Sequence, residues 1–192
     1  MELTLETLLD AAELNIEKGF AGPDRVQRAQ RALQLAQAAY DIDQNHPRKN
    51  LILATSYHCS SRYQEALLIY QRALELEPMN TTTLGNYGMA LLRLGGSDNW
   101  QKAEELFTTA QKLEPENGIL DYFLGLINQA RNIPDQALSF YQKAKGKLNA
   151  TESERDLTPE ESTFLLKTSR AIEKMKTNIK FCSPFEFPIR LY

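Results

Sequence analysis

The stretch Ala66-Leu67-Leu68-Ile69-Tyr70-Gln71-Arg72-Ala73-Leu74-Glu75-Leu76-Glu77-Pro78 returns 37 residues later as Ala103-Glu104-Glu105-Leu106-Phe107-Thr108-Thr109-Ala110-Gln111-Lys112-Leu113-Glu114-Pro115. In both copies an alanine, an aromatic, an alanine and a proline follow one another at spacings of four, three and five. A third copy stands 34 residues further on as Ala137, Tyr141 and Ala144, with Asn149 in the place of the proline. Upstream, Ala32, Ala36 and Ala39 lie 34 residues before Ala66, Tyr70 and Ala73. A fixed period in this range is the signature of stacked supersecondary units.

Each copy has a first half as well. Leu53-Ala54 with Tyr57, Tyr87-Gly88 with Leu91, and Leu124-Gly125 with Asn128 precede the second halves at matching distances. Helices approach closely only where side chains are small. Ala54, Gly88 and Gly125 fill that role on the first helix, and Ala66, Ala103 and Ala137 on the second. Tyr70, Phe107 and Tyr141 are then expected to fill the space between repeats. Pro78 and Pro115 stop the second helices, because proline lacks the amide donor and clashes in a helix interior. Asn149 is no such stop, so the helix before it can run on.

Together these residues resemble the tetratricopeptide repeat (TPR) family. The resemblance spans roughly residues 5–151 and is weakest in the first repeat. It implies an all-α fold, a right-handed superhelix of antiparallel helix pairs. The expected units are a degenerate repeat at about 5–46, then 47–80, 81–117 and 118–151. The first repeat carries an insertion placed at residues 19–24, and the third carries three extra residues within 95–99.

A polar linker is expected at 149–156 and a capping helix at about 159–179. Thr158 suits the N-cap, Pro159 the first turn, and Glu160 and Glu161 the positive helix end. Leu165, Thr168, Ile172, Met175 and Ile179 form its predicted buried stripe. Residues 1–180 read as one domain. The tail, 181–192, holds Pro184 and Pro188, and Phe185, Phe187, Ile189 and Leu191 alternate along it with polar residues or proline. An extended segment with one apolar edge is predicted, a candidate binding motif in its own right.

Lys plus Arg number 22 against 25 Asp plus Glu, a net charge of −3. Nucleic-acid binding leans on a cationic surface and is not expected here. No apolar run is long enough to span a membrane. The first six residues have no basic leader, which predicts no signal peptide. Two cysteines, Cys59 and Cys182, fit reduced thiols and a cytoplasmic setting better than a disulfide framework. No catalytic constellation stands out. His46 and His58 are the only histidines, no zinc-ligand spacing is present, and Gly95-Gly96 lacks the further glycine and the lysine of a phosphate loop. Neither metal nor cofactor is implied, and an enzyme is not expected.

In TPR proteins the first helices of successive repeats line a concave groove. By the resemblance, repeat two offers Arg48, Leu51, Ile52, Thr55, His58 and Cys59. Repeat three offers Thr82, Gly85, Asn86, Met89, Leu92 and Arg93. Repeat four offers Ile119, Tyr122, Phe123, Leu126, Gln129 and Ala130. Repeat one brings Glu6, Leu9, Asp10, Glu13, Ile16 and Glu17, an acidic end to a largely apolar groove. Apolar surface of this kind marks a binding site, and Tyr, Phe and Met are favoured at interface centres. The expected ligand is an apolar peptide or helix of a protein partner, with a basic end. The alternative cover is the protein itself, by tighter packing or by the tail. Some family members bind acidic chaperone tails through a carboxylate clamp; its positions here hold Leu51, Thr55, Asn86, Ile119 and Phe123, and only Asn86 matches. The function expected is a non-catalytic adaptor or scaffold, the alternative a dedicated assembly or secretion chaperone. The tail could also join copies into a homo-oligomer.

Overall fold

The computed structural model describes residues 5–17 and 25–176. The insertion at 19–24 and the tail at 181–192 lie outside these residues. Among the described residues there are nine helices and no strand. They are α1 (Leu5–Glu17), α2 (Arg25–Ile42), α3 (Pro47–Cys59), α4 (Tyr63–Leu76), α5 (Thr81–Leu94), α6 (Ser97–Leu113), α7 (Gly118–Ala130), α8 (Pro134–Glu154) and α9 (Pro159–Lys176). Helices α1–α5 form one compact unit, and a second begins at Gly96 and holds α6–α9.

The same turn recurs at the middle of three repeats. Ser61, Gly95 and Asn132 hold positive φ of 60°, 72° and 60°, and each stands fourteen residues after the first residue of its repeat. That residue reverses the chain into the second helix. A glycine adopts the conformation freely, and asparagine tolerates it better than most residues. The three extra residues of repeat three leave the turn as short as in the others. They lengthen α6 to 17 residues, against 14 in α4, and Trp100 comes directly after them. The α8 helix runs to Glu154 in the absence of a proline stop, so much of the expected linker is helical.

Repeat junctions are also built alike. The side-chain oxygen of Asn80 accepts from the Thr83 amide at 2.9 Å, and that of Asn117 from the Ile119 amide at 3.1 Å. Each asparagine donates through Nδ2 to the glutamate before the proline, Glu77 or Glu114, at 2.9 Å. N-caps of this sort satisfy amides that the first helical turn leaves open.

In the first unit, Leu8, Leu9 and Ala12 of α1 pack with Ala36 and Ala39 of α2 and with Ile52 and Leu53 of α3. Ala66, Tyr70 and Ala73 of α4 are fully or almost fully buried, and Tyr70 stacks on Tyr87 of α5 with centroids 5.9 Å apart. In the second unit Phe107 of α6 stacks on Phe123 of α7 at 5.1 Å, nearly parallel. Both rings therefore carry contact from one repeat to the next. Two glycines let α7 lie close to α8: a Cβ on Gly118 would fall 2.8 Å from the Ala144 carbonyl oxygen, and one on Gly125 would meet the Tyr141 ring.

The α9 helix opens with a capping box. Thr158 Oγ1 accepts from the Glu161 amide at 3.2 Å, and Glu161 accepts from the Thr158 amide at 2.8 Å. Arg155 grips the same carboxylate through two nitrogens at 2.7 and 3.0 Å. These bonds, that of Arg155 first, hold the Glu161 carboxyl down at about 2. Of the predicted stripe, Thr168 and Ile172 are buried, Leu165 and Met175 are half-buried, and Ile179 lies outside the described residues. The seam is completed by Phe164, which is buried.

Candidate functional site

The groove positions of the first unit do come together, and Arg48 shows it most plainly. This residue opens the face of α3. Its guanidinium donates to Glu13 at 2.7 and 3.1 Å, to Asp10 at 2.8 Å and to Glu6 at 2.8 Å. All three carboxylates come from the predicted groove positions of α1. They follow one another at four and three residues, one helical face. Glu13 and then Asp10 drive the guanidinium pKa above its ordinary value, so the charge is permanent. One cation meets three anions, and the cluster keeps a net negative charge. The acidic end expected from the sequence is thus partly neutralised from within.

At the other end of α3 stands His58. It is 4% exposed, its ring edge-on to Tyr63 and Tyr70 with centroids 5.6 and 6.4 Å away. Burial, and then the Arg93 charge from α5, push its pKa down to about 3. His58 is therefore neutral at physiological pH. Burial likewise pushes the Cys59 thiol up to about 12, which leaves it a poor nucleophile.

Between these ends the face is mixed. Ile52 and Leu92 are buried in the unit. Leu51, Thr55, Asn86, Met89 and Arg93 are half-buried and reach the surface. Thr55 Oγ1 donates to the Leu51 carbonyl at 2.8 Å and accepts from the Tyr70 hydroxyl at 3.3 Å. Gly85 lies in the middle, and a Cβ there would have nothing within 4 Å.

In the second unit the corresponding positions are placed differently. Tyr122, Phe123 and Leu126 are buried, and Ile119, Gln129 and Ala130 are half-buried. Phe164 of α9 packs edge-on against Tyr122 and Phe123 with centroids 5.3 and 5.4 Å away. Below them Asp121, 1% exposed, pairs with Lys147 at 2.6 Å and accepts from Gln111 at 2.7 Å. The tail residues Phe185, Phe187, Ile189 and Leu191 lie outside the described residues.

The paired helices, the alanine and glycine crossings and the shared face of α1, α3 and α5 can be set beside known proteins. A family model described as tetratricopeptide repeat matches residues 94–152. The fold is that of tetratricopeptide-repeat proteins. TTC0263, a thermophilic TPR protein in Thermus thermophilus, superposes with a TM-score of 0.66 at 16% identity, over 88% of this chain and 82% of that one. A crystal structure of MamA superposes at 0.65 and 18% identity, over 79% and 82% of the two chains. A MamA fragment from Desulfovibrio magneticus RS-1, 41 to its end, gives 0.61 at 14%, over 91% and 96%. No curated protein matches the chain in sequence.

The TPR fold is a scaffold for protein–protein interaction and is typically non-catalytic. Among the described residues no three His, Cys, Asp or Glu side chains are grouped so as to hold a metal ion. None of their helices is long and apolar enough to cross a membrane.

Proposed function

We propose that this TPR protein is an adaptor whose binding surface is the face of α1, α3 and α5 in the first unit. Leu51 and Met89 supply apolar anchor sites, Thr55 and Asn86 polar ones, and the cluster of Glu6, Asp10 and Glu13 a negative end. The ligand is an apolar segment of a protein partner with a basic residue at one end. The observation that carries this reading is Arg48. A single guanidinium gathers three face positions of α1 onto the face of α3, which makes one continuous surface of mixed apolar and acidic character. A rigid preformed face lowers the ordering cost of capturing a flexible peptide. In the second unit α9 packs over Tyr122 and Phe123, so these two positions offer no anchor.

Affinity capture with three forms of the full chain tests this. Leu51→Lys with Met89→Lys alters the face, and Leu68→Lys alters α4 at a position 70% exposed. With circular dichroism and melting unchanged, the double variant should lose partners that wild type and Leu68→Lys retain. Equal capture by all three would overturn the assignment.

A further inference from the structure

The face of α1, α3 and α5 carries opposite charges at opposite corners. Glu6, Asp10 and Glu13 surround Arg48 in the first turn of α3, and three carboxylates against one guanidinium leave that corner negative. Arg93 brings a positive charge to the last turn of α5. It is half-buried, and its charge acts on His58 in the last turn of α3. In this unit α1 packs beside α3 and α3 beside α5, and each return helix, α2 or α4, sets the next first helix running the same way. The two corners therefore lie on a diagonal. Ten residues separate Arg48 from His58, about 15 Å along α3. The step across to α5 is about 9 Å, and the α1 carboxylates lie further out, so the corners are about 20 Å apart.

The diagonal between them is apolar and has one bare spot. Leu51 stands one turn after Arg48, and Met89 one turn before Arg93. Gly85 lies one turn before Met89, and a Cβ there would meet nothing within 4 Å. Such a spot admits the close approach of another main chain. We propose that the partner segment received here is extended and dipolar, with a basic side chain over the acidic corner, two apolar side chains on Leu51 and Met89, and an acidic side chain at Arg93. The inference rests on the binding face proposed above and names the charge pattern of its ligand. Extended chain advances about 3.3 Å per residue, so 20 Å is about six residues, and alternate side chains share one side. The basic residue, the two apolar ones and the acidic one then stand first, third, fifth and seventh. A guanidinium offers five donors in a planar fork, so Arg93 can hold a carboxylate alongside its present neighbours. Segments with like charges at both ends are repelled at one corner or the other, which fixes both the choice and the orientation of the ligand.

Amide-shift titration of the isotopically labelled full chain by NMR, at low salt, tests this with three heptapeptides blocked at both ends. Each has leucine at the third and fifth positions and serine at the second, fourth and sixth. One ends in lysine and glutamate, one in two lysines and one in two glutamates. The mixed peptide should bind about fivefold more tightly than either of the others, with shifts on α3 and α5 around Leu51, Gly85 and Met89. Arg93→Glu should make the two-lysine peptide the best ligand. Arg93→Gln, the milder variant should the first not fold, should bring the mixed and two-lysine peptides level. A mixed peptide bound no better than the others, no binding of any peptide, shifts confined to α6–α9, or an order that neither variant changes would each overturn the proposal. The adaptor reading is judged separately by partner capture with the Leu51 and Met89 variants, so capture lost there without a charge preference here removes this inference alone.

Discussion

The ring of Tyr141 occupies the space that a side chain at Gly125 would need: a Cβ there would sit 2.6 Å from Tyr141 Cε1. Both residues are buried, and the Tyr141 hydroxyl is fixed by a 2.6 Å bond to Gln129. The ring cannot swing away without breaking that bond. Gly125→Ala is therefore expected to destabilise the second unit by about 1–3 kcal/mol, the usual cost of overpacking. Chemical denaturation of the variant checks it; an unchanged midpoint would show that α7 and α8 separate easily.

Phe164 is the ring that seals α7 under α9. Phe164→Ala should cost about 3–5 kcal/mol, as for other buried aromatics. It should also uncover Tyr122 and Phe123, which would appear as new binding of a hydrophobic dye. A variant as stable and as dye-silent as wild type would mean that α9 does not cover the α7 face in solution.

His58 makes the first unit acid-sensitive. Its ordinary pKa of 6.5 falls to about 3 in the fold, through burial and then Arg93. Between those values the unfolded chain binds a proton that the native chain does not, so stability is complete above pH 6.5 and is lost as pH falls toward 3. One proton changes the folding equilibrium by up to about tenfold per pH unit across that window. Comparing pH titrations of wild type and His58→Gln by denaturant melts isolates the effect. Parallel curves would refute it.

Arg48→Met leaves Glu6, Asp10 and Glu13 facing one another on α1 with no counter-ion. A loss of order 1 kcal/mol at low salt is expected for this partly exposed cluster, shrinking as salt screens the carboxylates. Urea melts at low and high salt give the comparison. A loss of equal size in both would assign the effect to packing of the Arg48 stem.

Much of this molecule is legible in its residues. The spacing of Ala66, Tyr70, Ala73 and Pro78 places α4 correctly, because small residues and a proline constrain a helix from both ends. The identical Glu-Pro-x-Asn junctions at 77–80 and 114–117 were an unused signal for the caps of α5 and α7. The face of α7 was not legible. Tyr122 and Phe123 carry the same spacing as face residues of α3 and α5, and nothing within that repeat says that Phe164 lies on them. Phe164 sits one position before the predicted stripe of α9, yet it stands four residues before Thr168 and eight before Ile172, a helical spacing that shares their buried face. The Arg48 cluster was hidden for a related reason. The acidic face of α1 could be counted, but its partner stands 35 residues beyond Glu13, and only packing brings the two together.

The central claim is that the face of α1, α3 and α5 receives a partner. Photo-crosslinking in the source cell tests it most directly, with p-benzoylphenylalanine placed at Met89 on the face or at Leu68 on the exposed side of α4. The account predicts discrete partner adducts from position 89 and none from position 68. Adducts from 68 alone, or the same adducts from both, would contradict it.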